Sequence, residues 1–213
     1  MSFPNADRFT APIRSLDDLR ALSPEPSPIA RDKVIDHLDD FCREFIELSP
    51  FLVIASIGEG GWVDQSPKGD PAGFVKILDE KTLAIPDRLG NKRHDTFVNV
   101  LENPSVGLIF LMPGKRETLR VSGQALLVQD EDLREKMAHK GKVPQFALVV
   151  HVERIMFHCS KCMVRSGLWN PETWADVSGV SSLAEAMKVH AQMSEPLDEI
   201  QGIITRSETE KLY

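Results

Sequence analysis

The stretch Thr82-Leu83-Ala84-Ile85-Pro86-Asp87-Arg88-Leu89-Gly90-Asn91-Lys92-Arg93 decides how this chain is read. Its first four residues are short, apolar or branched, and predict a strand over 82–85. Helical texture then runs from about His94 to Glu102 and is closed by Asn103-Pro104. The segment between is a basic turn. Backbone N–H groups at the helix start, the cations Arg88, Lys92 and Arg93 and the Asn91 amide together make a concentrated anion site. Gly90 allows the tight turn that lets backbone approach a ligand. The competing reading is a solvated basic turn, and such turns are common.

Working outward, further strands are predicted over 51–57, 61–65, 73–78, 106–111, 118–129 and 145–157, each short and rich in branched residues. Gly58-Glu59-Gly60-Gly61 and Asp79-Glu80-Lys81 read as hairpin turns. Upstream, Val34, Ile35, Leu38, Phe41, Cys42, Phe45 and Ile46 fall on one face of a helix that Ser49-Pro50 ends. A second helical insert spans about 131–139, and the best helix past Gly167 is 182–193. This is a mainly β chain with α inserts. Several antiparallel strands of this kind predict a small barrel, since closure removes exposed sheet edges. Residues 1–30, polar and punctuated by proline, read as an N-terminal arm with a short helix from Ser15. The main domain is expected over 31–175, with 176–213 as a helical extension packed on it.

The chain has 213 residues, enough for a core of its own and too few to promise two independent domains. Its formal net charge of −7 argues against coating a polyanion. The charge is uneven: residues 88–120 carry six cations (Arg88, Lys92, Arg93, Lys115, Arg116, Arg120) against Asp95, Glu102 and Glu117. No apolar run approaches the eighteen or so residues a membrane helix needs, and the start MSFPNADRFT has no secretory pattern. Three cysteines do not make a disulfide framework. A cytoplasmic location is the default expectation, with neither a membrane nor a nucleic acid as partner. Stacking aromatics are sparse in the basic segment, with only Phe97 and Phe110.

A second candidate is Glu117-Thr118-Leu119-Arg120-Val121-Ser122-Gly123, whose alternation places Thr118, Arg120 and Ser122 on one face. A strand arginine beside hydroxyls suits a phosphate oxygen, because its planar fork donates two bonds at once. Gly58–Gly61 lacks the spacing of a dinucleotide loop and precedes a strand rather than a helix. His158-Cys159-Ser160-Lys161-Cys162 contains a CxxC, but no second cysteine pair completes a zinc site, so no metal is expected. Packing is preferred for that pair over a reactive-thiol role aided by Lys161.

These residues resemble the pyridoxamine 5′-phosphate oxidase-like flavoproteins, the FMN-binding split β-barrels, and within them a bacterial subgroup described as probable FMN-dependent enzymes. The resemblance rests on Ser66-Pro67-Lys68-Gly69-Asp70-Pro71-Ala72-Gly73-Phe74-Val75, on residues 85–93, on Leu101-Glu102-Asn103-Pro104, on residues 117–123, and on residues 157–161 through Arg165-Ser166-Gly167-Leu168-Trp169. It spans about residues 30 to 175. It implies a six- to seven-stranded antiparallel split β-barrel flanked by helices. It also implies FMN at the interface of a homodimer. The backbone of Gly73, Phe74, Val75 and Lys76 would lie along the isoalloxazine ring. Arg88, Asn91, Lys92 and Arg93 would hold the phosphate, with Pro86 and Asp87 beside the ring or ribityl chain and Thr118 and Arg120 from the later strand. Lys161, Arg165 and Trp169 of a second copy would close the site.

The implied activity is an FMN-dependent oxidoreductase acting on an unidentified small molecule, with NADH or NADPH as a donor. The flavin carries the redox chemistry, so no catalytic side chain is demanded and none is assigned. A flavin- or haem-binding protein without turnover, or one using a deazaflavin, is the alternative. The family's oxidases of vitamin B6 phosphate use a tyrosine and a late Arg–His segment. Here the one tyrosine is Tyr213 and the tail reads Thr205-Arg206-Ser207-Glu208, which speaks against that substrate.

Overall fold

The computed structural model describes residues 4–213, so the first three residues of the expected arm lie outside the described residues. Residues through Val34 group as one compact unit and Ile35–Tyr213 as another. The first unit holds α1 (Leu16–Leu22) and α2 (Pro28–Asp32). Ser15 Oγ accepts the Asp18 N–H at 3.1 Å, which is the cap its position predicts. Ser27 caps α2 in the same way, with Pro28 at the first helical position.

The second unit opens on a correction. The predicted helix from Val34 begins only at Asp40, as α3 (Asp40–Leu48), because Asp39 Oδ1 accepts the Cys42 N–H at 2.8 Å and fixes the start. The residues before it serve the sheet instead, and Ile35 exchanges two backbone bonds with Ile155. Phe41, expected on the apolar face, is therefore exposed, while Leu38, Cys42, Phe45 and Ile46 are buried.

Seven strands follow: β1 (Phe51–Ile57), β2 (Val63–Gly69), β3 (Lys76–Ile77), β4 (Thr82–Pro86), β5 (Ser105–Leu111), β6 (Thr118–Val128) and β7 (Ala147–His158). Between them run α4 (Asp95–Glu102) and α5 (Glu131–Lys136), and after them α6 (Lys161–Ser166), α7 (Leu183–His190) and α8 (Leu197–Glu210). Every pairing is antiparallel, in the order β2-β1-β5-β6-β7-β4-β3. This is the mainly β, seven-stranded, split arrangement the resemblance implies. The ladder does not close, however, and β2 and β3 are its edges. Full closure is not how the edges are managed. Edge strand β2 carries Pro67, which has no N–H to offer a neighbour, and α4 packs against β1, β2 and β6.

The predicted strand over 73–78 shrinks to the two residues of β3. Gly73 is in the left-handed region at φ +85, which only glycine adopts without strain, and the chain turns there rather than extending. The core is built by alternation. Leu52 and Ile54 of β1, Leu108 and Phe110 of β5, Leu119 and Val121 of β6, and Val150 and Val152 of β7 share one cluster with α3 and α4. A bulge at Ser122/Gly123 sets the β6–β7 register, and a Cβ on Gly123 would lie 1.9 Å from the His151 carbonyl oxygen. The glycine ending the 117–123 segment is thus required by strand packing. Among the described residues no helix is long and apolar enough to cross a membrane.

Candidate anion-binding cleft

A cleft of about 260 Å³ opens between edge strand β2 and the turn that joins β4 to α4. From β2, Asp64, Ser66 and Lys68 point inward, since alternate residues of that strand are half-buried and the rest exposed. The turn contributes Asp87, Arg88, Asn91, Lys92 and Arg93, His94 follows just before the helix, and α4 contributes Asp95 and Phe97. The structure thus brings five of the residues singled out in the sequence to one place. It adds β2, whose Ser66-Pro67-Lys68 had supported the resemblance without a role. Inward alternation on an edge strand was the signal that could have found them.

The turn is held in an uncommon backbone shape. Lys92 and His94, neither of them glycine, have φ of +59 and +55. Asn91 Oδ1 accepts the Arg93 N–H at 3.0 Å. The helix start that should face an anion already carries a carboxylate, and Arg93 grips Asp95 through Nε (3.0 Å) and Nη2 (3.2 Å). Four cations (Lys68, Arg88, Lys92, Arg93) meet three carboxylates (Asp64, Asp87, Asp95) around the cleft. Bulk charge alone therefore does not make the cleft an anion site.

Lys68, Asp87, His94 and Phe97 all line the cleft. Lys68 Nζ lies 5.8 Å from the Phe97 ring centroid, within cation–π range, and burial lowers its pKa. Burial raises the pKa of Asp87, against the charges of His94, Lys68 and Arg88. Asn99 pins α4 to the strands beside the cleft, its Nδ2 donating to Ser56 Oγ (2.9 Å) and Asp64 Oδ2 (2.8 Å).

Arg88 is only partly directed at the cleft. Its Nε donates to Asp70 Oδ2 at 2.6 Å and its Nη2 to the Met137 carbonyl at 2.9 Å. The resemblance had placed it at a phosphate, with no account of these partners. Pro86 is buried at the end of β4, one residue short of the cleft lining.

The other expected residues lie elsewhere. Phe74 and Val75 are buried in the core, and Lys76 Nζ donates back to the Gly73 carbonyl at 2.8 Å. Thr118 is buried at the start of β6, whereas Arg120 is exposed opposite Ile109 and Met156. Arg165 and Trp169 meet Arg116 in a separate cavity of about 620 Å³, where Trp169 Nε1 donates to the Lys115 carbonyl at 2.6 Å. Lys161 is exposed at the start of α6. Cys159 and Cys162 are exposed and free, which corrects the expectation that they serve packing. Among the described residues no group of three or more His, Cys, Asp or Glu could hold a metal ion.

An open seven-stranded antiparallel sheet whose edge strand and basic turn enclose an anion-suited cleft defines the class of molecule. The model of the pyridoxamine 5′-phosphate oxidase family matches residues 38–159, more than half of the chain. The chain belongs to that family. No curated protein is a significant match. Among solved structures the chain is similar to HupZ of Group A Streptococcus (21% identity, 53% of this chain and 90% of that one, TM-score 0.44). It is also similar to a putative pyridoxamine 5′-phosphate oxidase of Lactobacillus delbrueckii (19%, 57% and 95%, TM-score 0.45). A third is a pyridoxamine 5′-phosphate oxidase-related FMN-binding protein of Nostoc punctiforme (14%, 52% and 74%, TM-score 0.35).

Proposed function

We propose that this chain is an FMN-dependent oxidoreductase acting on an unidentified small molecule, working as a homodimer with NADH or NADPH as donor. One observation carries the reading: Lys68 on β2 faces Arg88, Asn91, Lys92 and Arg93 across one cleft. That donor set fits a phosphate monoester, which a buried site accepts only when cations and N–H groups surround it. The cleft's 260 Å³ lies below the roughly 300–1,000 Å³ of sites that enclose a whole ligand, so it takes the phosphate end and leaves a ring outside. A second copy would then cover the ring. Lys161, Arg165 and Trp169, all outside the cleft, are our candidates for that wall, with the exposed Arg120 beside them, whereas Thr118 is buried within its own copy.

In this reading Ser66, Pro67 and Lys68 lie along the ligand where the resemblance implies Gly73–Lys76. Bound flavin would supply the hydride and electron chemistry. The chain's own residues hold the phosphate, set the ring against β2 and exclude water. The test is direct. Purified protein should be yellow and release FMN on denaturation. Colourless protein that takes up no added FMN would overturn the proposal, and uptake of a deazaflavin in its place would redirect it. Bleaching under anaerobic NADH or NADPH, followed by reoxidation, separates an enzyme from a passive binder.

A further inference from the structure

The Asp70 side chain is 1% exposed, and each of its oxygens has a different partner. Oδ2 accepts Arg88 Nε at 2.6 Å, and Oδ1 accepts the Tyr213 hydroxyl at 2.6 Å. Tyr213 lies beyond α8, and its ring is held in place from two sides. Its centroid is 4.5 Å from that of His139, and Lys140 Nζ lies 4.9 Å from it. Arg88 lines both the anion cleft and a second cavity of about 240 Å³ that Tyr213 also lines. The tyrosine and the cleft therefore share one guanidinium.

A carboxylate with both oxygens open draws an arginine fork into two parallel bonds. Here the two oxygens are divided, Oδ2 to Arg88 and Oδ1 to Tyr213. With Oδ1 occupied, Asp70 holds Arg88 through Nε alone, while Nη2 is steadied by the Met137 carbonyl. We infer that Tyr213 is a positioning residue for Arg88: by occupying one oxygen of Asp70, it keeps the guanidinium at the cleft wall, where a phosphate monoester can reach it. Removal of the hydroxyl opens Oδ1, and the fork turns onto Asp70 and away from the cleft. The inference rests on the reading of the cleft as a phosphate site.

Tyr213→Phe tests this, because it keeps the ring and removes only the hydroxyl. Affinities for FMN and for riboflavin, which lacks the phosphate, are read by flavin fluorescence, and the Arg88 Nε–H resonance by NMR. Affinity for FMN should fall about tenfold or more, the scale of one hydrogen bond to a charged group. Riboflavin affinity should stay level, and the Arg88 resonance should move. In an Arg88→Ala background the substitution should add no further loss. Equal weakening of both flavins, or an unmoved Arg88 resonance, overturns the inference. If the unsubstituted protein binds neither flavin yet the resonance moves, the cofactor reading fails while the coupling of Tyr213 to Arg88 stands.

Discussion

His94 lies nearly flat on Phe97, with ring centroids 5.3 Å apart and planes 14° apart, at the point where the basic turn becomes α4. Phe146 closes on both rings edge-on, at 6.3 and 6.0 Å. This aromatic cluster packs the His94 side chain, which makes no capping bond, while the His94 carbonyl accepts from the Phe97 and Val98 N–H groups. Phe97 thus belongs to the core and to the cleft together. Phe97→Ala should destabilise the fold by about 3–5 kcal/mol, as other large aromatic truncations do, measured by urea unfolding. It should also weaken retention of a phosphate ligand, because the turn loses its base. Loss of stability with unchanged retention would show that the turn holds its shape without the stack.

Lys68 predicts a pH dependence of binding. Burial lowers its pKa below the ordinary 10.5, and the charged form is the one a phosphate prefers. FMN affinity should therefore fall as pH rises through that lowered value, and Lys68→Met should flatten the alkaline limb. Stability should move the other way. The folded-state pKa lies below the unfolded one, so the folded chain is penalised while the amine is charged, and the penalty lifts as pH rises through the folded value. Opposite slopes in titrations of binding and of unfolding would establish the assignment. Parallel slopes would refute it.

Asp87 carries the reverse sign. Burial raises its pKa, so its favourable contribution is present at low pH and is lost as pH rises through the folded value. Asp87→Asn should tighten FMN binding at neutral pH by removing a half-buried negative charge beside the phosphate. Weaker binding would mean that Asp87 itself contacts the ligand through its carboxylate.

The three thiols should separate by reactivity. Cys159 and Cys162 are exposed, whereas Cys42 is buried in α3 and its thiol is pushed up to about 12 by burial, with Asp39 beside it. Iodoacetamide near pH 8 should add two groups to the native protein and three after unfolding, counted by mass spectrometry. A third adduct on the native protein would place α3 in a more open state.

Gly123→Ala should be among the most damaging single substitutions, because the new methyl meets His151 backbone rather than a movable side chain. A loss of about 2 kcal/mol or more in urea unfolding is expected. Flavin affinity should suffer only through folding, in contrast to Arg88→Ala.

The strands were readable because alternation survives in a half-buried sheet: β1 and β5 show it residue by residue, and β6 from Leu119 to Leu126. The helix before β1 was overextended because Val34 and Ile35 match its periodicity while a single Asp39 side chain decides where it begins. At the site, Asp87 to Arg93 could be found because turn, charge and helix start are contiguous in sequence. Alternation marked which residues of β2 face inward, but what they face was not legible, since only the fold brings Lys68 opposite that turn. The partners of Arg88 lay further beyond reach. Asp70, Met137 and Tyr213 converge on it from three distant parts of the chain, and no local pattern announces such a meeting.

The unclosed ladder has a consequence for how this molecule can change. Where strands pair, the distance between them is set by backbone bonds, and no substitution alters it gently. Across the seam beside β2 the spacing is set by side chains, chiefly Phe97 and Asn99 on α4. The width and chemistry of the cleft can therefore be retuned one residue at a time without unpairing a strand. A seam of this kind lets one scaffold trade one bound molecule for another while the sheet stays as it is.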